Sequence, residues 1–135
     1  MTATLVDSNV LIDILARDSP WVAWSDEMLV RSLEDGAVFV NQVIYAEISA
    51  GFALVEDADW ALEVQGVERI PLPWPASFLA GKAFVEYRRR GGVKRSPLPD
   101  FFIGAHAAVE GLPLLTRDPA RYRSYFPTVE LIAPE

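Results

Sequence analysis

Along this chain the apolar positions change period, from short unbroken runs suited to buried strands to spacings of three and four suited to helices. Thr4-Leu5-Val6 is an apolar run that ends in Asp7-Ser8-Asn9, a buried strand handing over to a helix cap. Val10, Leu11, Ile14 and Leu15 follow at helical spacing, and Asp18-Ser19-Pro20 closes that helix. A second helix is expected over residues 21–33, with Trp21, Trp24, Met28 and Leu29 on its apolar side. Glu34-Asp35-Gly36 turns the chain into a second strand at residues 37–40. Asn41 then caps a helix expected to run to about Leu54, with Val43, Ile44, Glu47, Ile48, Gly51 and Phe52 at helical spacing.

The second half repeats the alternation. Residues 56–66 read as an acidic helix, and residues 68–72 as an edge strand because Pro71 cannot donate to a ladder. Pro75 suits the first turn of a helix that stops at Gly91-Gly92. The segment GGVKRSPLP at 91–99 is a loop, and Pro99-Asp100 opens a helix closed by Gly111. Strands follow at 112–116 and 129–132, separated by a short aromatic segment, Tyr122 to Phe126. Strands alternating with helices predict an α/β fold built on a parallel, doubly wound sheet.

Composition narrows the chemistry. With 135 residues, 51% of them hydrophobic, the chain is expected to form a single domain, 1–135, around one core. No cysteine is present and there is one histidine, so thiolate ligands and the usual zinc sites are excluded. Any metal would be held by carboxylate oxygens, which favours a hard cation such as Mg²⁺, with Mn²⁺ an alternative. The N-terminal segment has no basic region followed by an apolar run, and no stretch is long enough to span a bilayer, so a cytoplasmic address and no membrane are expected.

The net charge of −7 hides an asymmetry. Residues 1–81 carry 3 basic and 13 acidic side chains, whereas residues 82–123 carry 9 basic and 4 acidic ones. The later stretch therefore offers a basic face to phosphates while the earlier one offers an acidic site.

Four carboxylates stand out. Asp7 and Asp118 sit just past strand ends, where ligands bind in open parallel sheets. Asp7 reads as a helix cap or, if Ser8 and Asn9 do the capping, as a free carboxylate. Asp100 opens a helix and reads equally as its N-cap or as a ligand. Asp118 precedes Pro119 in an ordinary turn pair. Glu47 lies within an apolar helical face, where an unpaired carboxylate is costly and a metal ion would relieve it. Mg²⁺ typically takes one or two carboxylates plus water and substrate phosphate, which suits phosphodiester hydrolysis.

These residues fall in four blocks that occur in order. Leu5-Val6-Asp7-Ser8-Asn9-Val10-Leu11-Ile12, Asn41-Gln42-Val43-Ile44-Tyr45-Ala46-Glu47, Pro99-Asp100-Phe101-Phe102-Ile103-Gly104-Ala105-His106-Ala107 and Leu115-Thr116-Arg117-Asp118 together resemble PIN-domain nucleases, and more closely the VapC-like toxins of toxin–antitoxin pairs. The resemblance runs from about residue 4 to about residue 132. It implies a three-layer sandwich with a mostly parallel sheet of four or five strands and helices on both faces. It also implies a Mg²⁺-dependent endoribonuclease that hydrolyses RNA in line, leaving a 5′-phosphate and a 3′-hydroxyl. Asp7, Glu47, Asp100 and Asp118 would form the acidic quartet, with Asp7 and Asp100 the direct metal ligands and Ser8, Asn9 and Thr116 in support. A cognate antitoxin protein and a homodimer are further implications.

Other residues carry two readings. Arg88-Arg89-Arg90, Lys94 and Arg95 read either as a solvated helix C-terminus or as an RNA-gripping loop beside the site, and Arg117 and Arg121 share that ambiguity. His106, six residues past Asp100, reads as a packed, hydrogen-bonded histidine rather than a general acid. Trp21, Trp24, Tyr45, Phe52 and Trp60 read as core, or in part as a groove for an antitoxin helix. A dehalogenase-like phosphatase would need a second aspartate where Asn9 stands. A response-regulator receiver would need a lysine after a late strand, where Thr116-Arg117-Asp118 is found. The remaining alternative is a PIN-like RNA- or protein-binding module without metal, which ought to lack one of the four carboxylates.

Overall fold

A computed structural model describes residues 1–135. Five short strands form one sheet: β1 (Thr4–Val6), β2 (Val38–Val40), β3 (Glu68–Arg69), β4 (Leu114–Leu115) and β5 (Leu131–Ile132). Their order is β3-β2-β1-β4-β5 and every pairing is parallel. Seven helices make the connections: α1 (Ser8–Ala16), α2 (Val22–Asp35), α3 (Gln42–Ser49), α4 (Val55–Gln65), α5 (Trp74–Arg89), α6 (Pro99–Glu110) and α7 (Ala120–Tyr125). Successive strand residues point to opposite faces, yet Thr4, Leu5 and Val6 are all buried, so helices cover both faces of β1. The expected three-layer α/β architecture is the one found.

The strand order reverses at β1, which pairs with β2 on one side and β4 on the other. The crevice beyond the carboxyl ends of β1 and β4 is therefore the topological switch point. Packing around it is tight. Phe101 at the start of α6 meets Tyr87 edge-on at 5.6 Å and Tyr125 at 5.2 Å, clamping α6 between α5 and α7. Gly104 allows the ring of Phe126 to reach the helix; a Cβ there would lie 2.4 Å from Phe126 Cδ2.

Several boundaries shift for local reasons. The helix expected to reach Leu54 ends at Ser49, where Gly51 and Phe52 make tighter backbone bonds to Ile48 and Ser49, and Leu54 is already the extended N-cap of α4. The edge strand shrinks to Glu68–Arg69, because Pro71 has no N–H and Leu72 N donates to Gln42 Oε1 instead. Strands β4 and β5 are likewise shorter than expected, with Pro113 preceding β4. Gly111 ends α6 at φ 65, as its placement predicts. No helix is long and apolar enough to cross a membrane.

Candidate active site

Asp7 leaves β1 at its carboxyl end and turns the chain into α1. Its extended backbone places Oδ1 2.8 Å from Ser8 N, so Asp7 itself caps the helix. Of the two readings of Asp7, the helix cap is the one found, and Ser8 and Asn9 are engaged elsewhere. Ser8 Oγ donates to Glu47 Oε1 at 2.9 Å, drawing α3 to the start of α1. Asn9 Nδ2 lies 3.3 Å from both Asp7 Oδ2 and Thr116 Oγ1, and Asn9 Oδ1 accepts from Arg117 N at 3.2 Å.

The second oxygen of Asp7 is the centre of the site. Oδ2 accepts from Tyr122 Oη at 2.8 Å and Thr116 Oγ1 at 2.9 Å. Tyr122 Oη also stands 3.4 Å from Asp100 Oδ1. A phenol carries one proton, which the shorter contact takes, so the Asp100 contact is a close approach of two acidic groups about one hydroxyl. Tyr122 is buried and has no counterpart in the sequence argument beyond its place in an aromatic segment. Its polar tip, which a buried tyrosine must partner, was the available signal.

Asp100 lies in the first turn of α6, but the N-cap is Leu98 and no side chain caps that end. The cap reading of Asp100 is thereby corrected. Fixing φ through Pro99 leaves the carboxylate to face the crevice, 3.7 Å from Arg121 Nη1. Asp118 sits at the rim, largely exposed, with Thr116 Oγ1 accepting from its amide at 3.1 Å. An open cleft lined by Tyr87, Asp100, Asp118, Arg121 and Tyr125 leads into the site. A larger cleft around Thr2, Arg31 and Glu130 lies at the amino ends of the strands, away from these carboxylates.

Burial raises the proton affinity of three of the site's carboxylates. Burial pushes Asp7 up to about 6, against the lowering hydrogen bonds from Tyr122 and Thr116, and the charge of Asp100 pushes the same way as burial. Glu47 is raised by burial, opposed by the Ser8 hydrogen bond and helped by Asp100. Burial raises Asp100 as well, with Arg121 opposing. Carboxylates in a partly buried crevice, with the charge of Asp100 adding to burial at Asp7 and Glu47, supply hard oxygen donors whose desolvation a cation would offset. No three of them close on a single point. The donor set therefore fits an ion that takes one or two carboxylates and keeps its waters, as Mg²⁺ does.

The basic residues divide. Arg89 and Arg90 both pair with Glu86, and Arg90 also reaches Ser124 Oγ at 2.8 Å and stacks over Tyr125 at 4.5 Å. Arg90 thus lies beside Tyr125, which lines the cleft, whereas Arg89 is held only by Glu86 on its own helix. Arg88 binds the carbonyls of Gly92 and Lys94, which shapes the loop. Lys94 and Arg95 are exposed on it. Arg117 is turned inward, with Nε 2.8 Å from the buried Asp13. His106 is buried, its Nδ1 3.0 Å from Asn41 Nδ2 and its Nε2 without a partner, and burial lowers its pKa. Trp60 and Trp21 are exposed, so the core reading fails for both.

The sequence matches the PIN domain family over residues 4–126. Among solved structures, the chain is similar to VapBC2 from Rickettsia felis bound to a DNA fragment from their promoter, at 16% identity and a TM-score of 0.72, covering 99% of this chain and 100% of that one. It is similar to VapBC-1 from nontypeable Haemophilus influenzae at 14% identity and a TM-score of 0.71, covering 98% of each. FitAcB from Neisseria gonorrhoeae aligns at 20% identity and a TM-score of 0.61, covering 96% of each. At these identities the likeness is one of fold. No curated protein sequence matches.

Proposed function

Since the chain belongs to the PIN domain family, we propose that it is a Mg²⁺-dependent endoribonuclease and the toxin of a toxin–antitoxin pair. The observation that carries the reading is the meeting of Asp7 and Asp100 about one phenol at the sheet's switch point. Asp7 and Asp100 would hold the cation, with Mn²⁺ an acceptable substitute. When bound, the ion activates water and neutralises charge on the phosphate oxygens.

The chain's own groups do the rest. Ser8 and Thr116 fix Glu47 and Asp7 by hydrogen bonds, so neither carboxylate reorganises when substrate arrives. Glu47, its proton affinity raised by burial, orients the attacking water. Asp118 at the rim orients a second water or completes a second cation position. Arg121 beside Asp100, with Arg89, Arg90, Lys94 and Arg95 along the cleft and loop, receives the RNA backbone. Similar solved structures include a toxin–antitoxin complex from Klebsiella pneumoniae and a member of the VapBC family of toxin–antitoxin systems from Mycobacterium tuberculosis, which supports an antitoxin partner for this chain. Exposed Trp60, Trp74 and Phe78 offer apolar surface for that partner or for a second copy in a homodimer.

Cleavage of a mixed RNA pool in Mg²⁺, against EDTA and against Asp100→Ala, tests the proposal. Metal-dependent cutting that Asp100→Ala lacks, while the variant keeps its fold, is the expected result. Folded wild-type protein that neither binds Mn²⁺ nor cuts RNA would instead be a binding module.

A further inference from the structure

Arg117 and Asp13 border the acidic pocket and form the molecule's one ion pair with a fully buried carboxylate. Asp13 Oδ2 accepts from Arg117 Nε at 2.8 Å and from Ser25 Oγ at 2.8 Å. The pair therefore ties α1, α2 and the segment after β4 into one joint. Thr116 supplies the hydroxyl on Asp7, and Asp118 hangs from Thr116 Oγ1 by its amide. Arg117 lies between them in the chain, and its Nη1 is 3.8 Å from Asp118 Oδ2.

We propose that Arg117 is a positioning residue, a clamp that seats Thr116 and Asp118 against Asp7 through Asp13, and not an RNA contact. Its side chain is only 26% exposed, and its Nε is committed to a carboxylate that has no other cation. Turning outward to a phosphate would strand that buried charge, whereas Arg89, at 72% exposure, has no such constraint. The planar guanidinium suits the task because it spans Asp13 and Asp118 from one rigid fork. The remaining ties of the segment to α1 are two neutral contacts through Asn9, at 3.2 and 3.3 Å, and the Thr116 hydroxyl. A site held only by those would be too loose to keep Asp118 in register.

The kinetic part of the test rests on the ribonuclease reading, so a second readout stands apart from activity. Arg117→Lys keeps the charge and loses the fork. The double variant Asp13→Asn with Arg117→Gln removes both charges and leaves none buried alone. In the full chain, both variants should slow single-turnover RNA cleavage at saturating RNA, the double variant by about 10²-fold. RNA affinity and its salt slope should stay at the wild-type value. Full activity of Arg117→Lys, or a salt slope smaller by about 0.7 in the double variant, would make Arg117 a phosphate contact and overturn the clamp. Amide exchange at Arg117 and Asp118 should quicken in the double variant while Leu5 and Asp7 remain protected. Unchanged exchange at 117 and 118 overturns the clamp even if the wild-type protein cuts no RNA, a result that would itself sink only the ribonuclease reading.

Discussion

Asp7 gives the sharpest test of the site's electrostatics. In the fold its pKa lies at about 6, against 3.8 ordinarily, so ionising it there costs about 3 kcal/mol more than in the unfolded chain. Between those two values the folded protein holds a proton that the unfolded chain has lost, so stability falls as pH rises. The penalty is roughly half as large at pH 5 as at pH 8, a loss on the order of 1 kcal/mol across that interval. Glu47 and Asp100, also raised, act in the same direction. His106 acts in the opposite one: its lowered pKa gives stability that is present above 6.5 and lost as pH falls. Comparison with Asp7→Asn isolates the effect, since the variant changes hydrogen bonding at every pH alike but does not titrate. Urea unfolding in EDTA, followed by the fluorescence of four tryptophans, supplies both curves. The wild-type stability should drop relative to the variant by on the order of 1 kcal/mol from pH 5 to pH 8. A difference flat to within about 0.5 kcal/mol would mean that the donors on Asp7 outweigh its burial and that no cation is needed to relieve it.

Three further outcomes follow from the same geometry. Asn41→Ala removes the 3.0 Å cap on Ile44 N and the partner of buried His106, and should cost about 2–3 kcal/mol in urea unfolding; a loss below about 0.5 kcal/mol would show both bonds to be idle. Gly104→Ala drives a Cβ to 2.4 Å from Phe126, which should outweigh the better helix propensity of alanine and lower stability by about 1–2 kcal/mol; a raised melting temperature would mean that the ring yields freely. Replacing Arg89 and Arg90 by alanine should weaken RNA binding and reduce its salt slope by about 0.7 per lost contact, and an unchanged slope would remove them from the RNA path.

Much of this was readable from the chain. The apolar run before Asp7, the Asn41 cap and Gly111 at the close of α6 are local signals, and each element stands where its signal falls. Glu47 was legible for a related reason, a carboxylate on an apolar helical face, and the structure gives it a serine partner. Asp13 carries the same signal between Ile12 and Ile14, but the inward turn of Arg117 that answers it comes from a distant part of the chain. Tyr122 was hidden in an aromatic segment whose period says only that something packs. The boundary errors at residues 50–54 and 70–72 arise where a helix start or a side-chain acceptor competes for the same backbone groups.

The sequence by itself determined the order of strands and helices, the parallel α/β class, the caps at Asn41 and Gly111, and the hard-oxygen character of any metal site. Periodicity, φ restriction and side-chain-to-backbone bonds act over a few residues, so they are written in the local string. The tertiary structure alone decided that Tyr122 stands between Asp7 and Asp100, that Asp7 is buried enough to reach a pKa of about 6, and that Arg117 faces Asp13. Asp7 and Tyr122 are 115 positions apart and Asp13 and Arg117 are 104 apart. Pairings at such separation are set by how helices settle on a sheet, and both desolvation and charge coupling depend on that settled geometry.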